Sequence, residues 1–274
     1  MTNSTTSIAS ASPLVALRTR RAMLAMGAGA MAAAVAGGRI AARAQDATPE
    51  ADLPALEPNC AVTPEQTSGP YYLPGQAIRQ EIAEDRPGIP FRLRIGVTDA
   101  AACAMLPGVA VEIWHCDADA IYSGVDGAAG SPTFLRGVQV TDDDGVAEFH
   151  TIYPGWYPGR TPHIHLAVHI DGAAGPAADD PQAATTDADA ETYQGGRSIL
   201  VGQVYLDDAV SDVVYALPPY DRRDAGQRTR NDQDRFFGSV AGEPGVMIAV
   251  QPVDDADWTQ GLIGTVVLGV NTGA

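Results

Sequence analysis

Between residues 91 and 97 apolar side chains alternate with others: Phe91, Leu93, Ile95 and Val97 against Arg92, Arg94 and Gly96. That is the period of a strand with one buried face. Residues 109–114 form a less regular apolar run, and within 145–151 Ala147 and Phe149 alternate with Glu148 and His150. Further strand-like runs occupy 163–168, 199–205, 246–250 and 262–270. Turn signals separate several of them, at Pro107-Gly108, Asp142-Asp143-Asp144-Gly145 and Pro154-Gly155. No long helical period competes; residues 208–216 suit a short helix, with Asp207 or Asp208 as its cap. Many short strands and few helices predict an all-β fold, a single β-sandwich domain with long loops and few short helices, over residues 60–274. The low-complexity acidic stretch 171–197 is expected to be a surface loop inserted between strands. Residues 45–59 are acidic, proline-bearing and aperiodic, and read as an extended leader.

Charge divides the chain. The 274 residues carry 34 acidic and 17 basic side chains, every basic one an arginine, for a net charge of -17. Residues 1–45 contain five of those arginines and no acid, so the remainder holds 34 acidic against 12 basic residues. So acidic a body argues against nucleic acid and anionic membranes as partners. The basic start has its own pattern: Arg20-Arg21 precedes a modestly apolar run from 22 to 37 that ends near Ala42-Arg43-Ala44. This is expected to be a cleaved export signal over residues 1–44, similar to the twin-arginine type, leaving no stable membrane span and placing the mature chain in the periplasm or outside the cell. An ordinary secretory signal or a disordered basic tail is the alternative. A twin-arginine route moves folded proteins, which suits a chain that takes up a metal before leaving the cytoplasm. The destination permits disulfides.

The chemistry-bearing residues concentrate in 154–165, PGWYPGRTPHIH. His163 and His165 lie two apart, so on a strand both imidazoles share one face. Spacing alone leaves two readings: ligands for Fe, Cu, Ni or Zn, or a polar strand face. His169 keeps the same parity and is a conceivable third ligand or a solvated strand residue; His115 and His150 read as structural or supporting.

Around these residues the chain closely resembles the intradiol ring-cleavage dioxygenases. The resemblance is carried by CAVTPEQTSGPYY at 60–72, EIWHCDADAIYSG at 112–124, FLRGVQVTDDDG at 134–145, PGWYPGRTPHIH at 154–165 and GQVYLDD at 202–208. It spans roughly residues 60–270 and looks like the exported, single-chain branch related to catechol and protocatechuate intradiol enzymes. It implies one non-haem Fe(III) per chain, held by Tyr122, Tyr157, His163 and His165, with Tyr157 in the axial, releasable position. Phenolates are hard anionic donors that favour ferric over ferrous iron, and each must lose a proton that ordinarily leaves near pH 10. It also implies catalytic roles for Tyr157 as a base, for Arg160 as a fixed positive charge, and for Gln203 as a residue that orients Arg160 or donates to an intermediate. Tyr71, Tyr72, Arg136 and Trp156 become candidate pocket residues, with ordinary packing as the alternative for Tyr71, Tyr72 and Trp156 and a tight β-connection as the alternative for Arg136. Cys60 and Cys103 are expected to form a disulfide in an exported protein, leaving Cys116 free; pairing of Cys116 with either remains the alternative.

The implied reaction is cleavage of a catechol by O2, between the two hydroxyl-bearing carbons, to a cis,cis-muconate-type diacid. The acidic body disfavours an anionic carboxy-catechol at long range, so catechol or a neutral substituted catechol is the expected substrate, although Arg160 is a local exception. A homodimer is compatible with the family. Two other classes stay open: a non-catalytic β-sandwich binding module, and a Zn or Cu enzyme using the H-x-H pair.

Overall fold

Two sheets packed face to face account for nearly all of the regular structure. They are seen in a computed structural model described over residues 53, 55–125, 133–177 and 189–273. All described residues belong to the unit Leu53–Ala274. The export signal read over 1–44 lies outside the described residues. Among the described residues, no helix is long and apolar enough to cross a membrane.

The first sheet comprises β1 (Pro90–Asp99), β2 (Ala104–Met105), β5 (Val146–Ile152), β8 (Ala249–Pro252) and β9 (Leu262–Val270). In it β1 runs parallel to β9 along its full length and antiparallel to β5 and β2, and β8 closes the far edge. The second sheet has the order β4 (Arg136–Val140), β3 (Ala110–Trp114), β6 (His163–Pro176) and β7 (Glu191–Tyr205). The alternation in β1 is realised: Phe91, Leu93, Ile95 and Val97 are buried, while Arg92 and Arg94 reach Glu148 on β5 at 2.7 and 3.5 Å. From the second sheet Val111, Ile113, Ile164, Leu166, Val168 and Val204 meet this face and join one core. By strand parity the residues between them point away from the core, and that outer face carries the site.

Two expectations are corrected and one strand is added. The stretch 171–197 is not simply an inserted loop: β6 continues to Pro176 and β7 begins at Glu191, so its described parts pair as a long antiparallel hairpin. Glycine, alanine and polar residues in no alternating order gave no strand signal there, because neither face of the arms is fully buried. The strand read at 246–250 is displaced to Ala249–Pro252; the 246–248 backbone bonds to Tyr205 instead. β4 was not read as a strand at all, since its inward glycine and buried arginine break the apolar pattern. The expected helix appears as α1 (Asp208–Val214), with the Asp207 carboxylate accepting from the Ala209 N–H. A second short helix, α2 (Arg235–Gly238), follows with Asp234 as its cap.

Cys60 and Cys103 are joined, their Cα atoms 4.7 Å apart, which fastens the start of the domain to the turn between β1 and β2. Cys116 is free and buried. From Cys60 the chain runs without regular structure across the outer face of the second sheet, hydrogen-bonding β9 through Thr63, β7 through Gln66 and β4 through Arg79.

Candidate active site

Register builds the first half of the site. Arg136 faces Trp114 between β4 and β3, Trp114 faces His165 between β3 and β6, and His165 faces Gln203 between β6 and β7. These four side chains therefore form one row across the outer face, with His163 one step along, opposite Tyr205. The second half comes from two loops. Tyr122 lies beyond β3, and Tyr157 follows β5 in the turn Tyr157-Pro158-Gly159-Arg160. Proline and a glycine at φ 84° suit the two middle positions of that turn, which the Arg160 N–H closes onto the Tyr157 carbonyl at 3.3 Å. Gly155 lets the loops touch. Its N–H donates to the Asp117 carbonyl at 3.1 Å, and a Cβ in its place would stand 2.3 Å from that oxygen.

Four donor atoms converge. Tyr122 Oη lies 3.5 Å from Tyr157 Oη, Tyr157 Oη 3.0 Å from His163 Nε2, and His163 Nε2 3.2 Å from His165 Nε2. His163 Nδ1 donates to the Thr161 carbonyl at 2.7 Å, so its Nε2 presents a lone pair to the cluster. His165 Nδ1 is buried without a protein partner, and the ring lies parallel to Trp114. Burial, reinforced by the Arg160 charge, pushes His163 down to about 3; burial and His163 push His165 well below the usual imidazole range. Both are therefore neutral imidazoles at neutral pH. Burial lifts the phenols: Tyr157 to about 12, and the more deeply buried Tyr122 well above 10. Arg160 opposes the rise at both.

The lone pair of His163 Nε2, the His165 Nε2 3.2 Å from it and two phenol oxygens meet at one place, and phenols become anionic most readily beside a cation. Separations of 3.0–3.5 Å are also those of donors sharing one ion at bonds of about 2.1 Å. The donor set thus fits a metal. Among the described residues no group of three His, Cys, Asp or Glu could hold an ion, so any such site depends on the tyrosines.

Arg160 sits beside this cluster. Its Nε donates to Asp234 Oδ2 at 2.9 Å, its Nη2 donates to Gln203 Oε1, and its guanidinium lies 4.6 Å from the Phe236 ring centre. Gln203 Nε2 donates in turn to the Thr67 carbonyl at 3.0 Å. Asp234, Thr67 and Phe236 were not singled out from sequence. Nor was Asn231, whose amide reaches Thr161 Oγ1 at 3.0 Å, nor Thr229, which accepts from Gly159 at 2.8 Å. Thr67 lies within the block 60–72 that carries the resemblance, whereas the other four come from an aperiodic segment whose only local signal is the Asp-x-Phe cap.

The other candidates divide. Tyr71 stacks on Tyr122 with ring centres 4.3 Å apart, and Tyr72 meets Trp114 edge-on at 5.1 Å, so both lie beside the cluster. Arg136 is almost wholly buried and clamps Ser123, donating from Nε to Oγ at 2.8 Å and from Nη2 to the carbonyl at 2.9 Å. It therefore supports the Tyr122 loop from behind; burial draws its pKa down to about 10. Trp156 belongs to the main core, with the Arg223 guanidinium 4.0 Å from its ring centre. His169 keeps the outer-face parity, opposite Ala110 on β3, but its Nε2 pairs with Glu112 at 2.9 Å rather than with the cluster. His115 bridges the Cys116 carbonyl and Thr151 Oγ1, and His150 bonds Glu148 and Glu81.

Residues 67–181 match the family model described as Dioxygenase. The chain is 30% identical to a solved intradiol ring-cleavage dioxygenase from Tetranychus urticae, over 77% of this chain and 95% of that one, with a TM-score of 0.61. It is 27% identical over 129 residues to a chlorocatechol 1,2-dioxygenase of Rhodococcus opacus, covering 38% of this chain and 50% of that protein. A catechol 1,2-dioxygenase of Candida albicans is 30% identical over 115 residues, 39% of this chain and 34% of that protein. The chain thus spans half or less of these two catechol enzymes. With the ordered blocks, the two-sheet fold and a solved relative matched over almost its whole length, the chain belongs to the intradiol ring-cleavage dioxygenases.

Proposed function

We propose that this chain binds one non-haem Fe(III) through Tyr122, Tyr157, His163 and His165 and cleaves a catechol with O2, between the hydroxyl-bearing carbons, to a cis,cis-muconate-type diacid. The observation that carries the reading is the meeting of two phenol oxygens and two imidazole nitrogens at successive separations of 3.5, 3.0 and 3.2 Å. Two hard phenolates in the set favour a trivalent iron over Zn or Cu. Bound there, the ferric ion supplies the Lewis acidity and electron acceptance that make a chelated catechol reactive towards O2.

The chain's own residues supply the rest. Tyr157 is the less buried of the two phenols, and it is the one placed to exchange its position for a substrate oxygen and take that oxygen's proton. Arg160 holds a positive charge near both phenols, where negative charge on the substrate would develop. Gln203 and Asp234 fix that charge in direction. Tyr71 and Tyr72 offer aromatic surface against which a flat ring can lie. The acidic body favours catechol or a neutral substituted catechol over an anionic one. Export, with residues 1–44 removed, is part of the same proposal and is supported by the arginine pair and the small-residue run.

Anaerobic titration of the iron-loaded protein with a catechol panel tests this. The visible tyrosinate band should shift with a preferred catechol, and muconate should form when oxygen enters. Absence of both with every catechol would sink the reading.

A further inference from the structure

One carboxylate connects the arginine to the metal-facing histidine. Asp234 is wholly buried, with 0% of its side chain exposed against 14% for Arg160. Its Oδ2 accepts the Arg160 Nε–H at 2.9 Å and the Thr161 backbone N–H at 3.0 Å. Its Oδ1 accepts the Phe236 N–H at 2.7 Å and so caps α2. The Thr161 carbonyl in turn accepts from His163 Nδ1 at 2.7 Å. From the same residue, one path leads to the guanidinium and another, through the backbone N–H and carbonyl of the one residue Thr161, to the imidazole.

A cap alone does not explain this arrangement. Serine or asparagine would serve a four-residue helix as well, without burying a full charge. The cost of that burial is offset by Arg160, and the geometry fixes the fork: Nε is held by Asp234 and Nη2 by Gln203, while Phe236, two residues on, supports the flat face. With Nε and Nη2 both held by the protein, the plane of the guanidinium is fixed before a ligand arrives. Guanidinium forks lose little entropy when pre-aligned in this way.

We propose that Asp234 is a positioning residue. It sets the direction of the Arg160 charge and the tilt of the His163 ring together, so that a substrate oxyanion and the metal lie at a fixed separation. This rests on the dioxygenase reading. Loss of the carboxylate therefore acts on turnover more than on substrate capture, because an arginine that wanders still attracts an anion but meets it in the wrong geometry.

The test compares wild type with Asp234→Asn and Asp234→Glu as full-length, iron-loaded protein. Asn keeps a cap and one acceptor but removes the charge; Glu keeps the charge and shifts it by one methylene, so a folded variant is available even if one fails. Three quantities are read: kcat and KM for a catechol per bound iron, the visible band on anaerobic catechol addition, and the rate at which a chelator removes iron. Expected is a fall in kcat of roughly 10- to 100-fold with KM changed by much less, an altered catechol-bound band, and faster iron loss. Folded variants with wild-type kcat per iron, band and iron retention would overturn the proposal, as would a loss confined to folding. If wild type itself cleaves no catechol, the dioxygenase reading falls. The iron-release arm still decides whether Asp234 governs His163.

Discussion

Trp114 and His165 are register partners on adjacent strands, and their rings lie parallel within 3° with centres 5.2 Å apart. The stack fixes the plane of an imidazole whose Nδ1 has no protein partner, so the indole does for His165 what the Thr161 carbonyl does for His163. Trp114→Ala should cost about 3–5 kcal/mol of stability and weaken iron binding, because it removes a fully buried ring and frees the imidazole. Trp114→Phe should cost about 1 kcal/mol and keep iron, since the indole N–H is buried without a partner and its loss forfeits no hydrogen bond. Denaturant unfolding with iron titration of both variants checks this. Equal iron loss in both would show that something other than the ring face orients His165.

The two phenols should separate under substitution. Tyr122 is buried and braced by Tyr71 on one side and by the Arg136–Ser123 clamp at its loop; Tyr157 is half exposed in a turn. Tyr157→Phe should therefore retain iron and keep one tyrosinate band while turnover falls by at least about 100-fold, the loss expected when a proton acceptor is removed. Tyr122→Phe should lose iron affinity as well. Visible spectra at matched iron content distinguish the two; identical spectra would remove the case for distinct roles.

The strand skeleton was legible because β1, β3, β5, β6 and β9 bury alternating or continuous apolar residues. The hairpin arms beyond His169 were not, because their pairing is by backbone and leaves both faces largely polar or exposed. Within the site, the parity of His163 and His165 could be read directly, and Tyr122, Tyr157, Arg160 and Gln203 came from the resemblance. Asp234 could not be read. It stands 74 residues from its arginine, in a stretch without periodicity, and its role depends on a contact that only tertiary folding makes. Trp156 was open between lining and packing for the opposite reason: it adjoins Tyr157 in sequence, yet successive residues of an extended loop face opposite sides.

His115 gives a pH dependence separable from that of His163 and His165. It is fully buried between the Cys116 carbonyl and Thr151 Oγ1, and burial, with a smaller push from Arg136, lowers it from 6.5 to about 4. The folded state therefore binds its proton less readily than the unfolded state. The resulting stabilisation is complete above pH 6.5 and is lost as pH falls towards 4. At pH 5 the loss is about 2 kcal/mol for this residue. The stability advantage of wild type over His115→Gln, measured by urea unfolding, should shrink by about that amount between pH 7.5 and pH 5. A constant gap would mean that His115 is not held neutral.

Gly155 tests whether contact between the two tyrosine loops builds the site. Its N–H donates to Asp117 at 3.1 Å, and the Cys116 thiol lies 3.6 Å from its carbonyl, so the chain segments leading to Tyr122 and Tyr157 are in direct backbone contact. A methyl group there would stand 2.3 Å from the Asp117 carbonyl and 2.7 Å from that of Ala118. Both are backbone atoms that cannot rotate aside, so Gly155→Ala must spread the loops. The phenol oxygens, already 3.5 Å apart, would separate further, and one ion could no longer be shared at normal bond lengths. The β-sheets do not depend on this contact, so the far-ultraviolet dichroism should stay that of wild type while stability falls by about 1–3 kcal/mol. The ferric-tyrosinate band and iron affinity should drop together. A variant with normal iron affinity and an unshifted band would show that the loops reach the metal independently of each other.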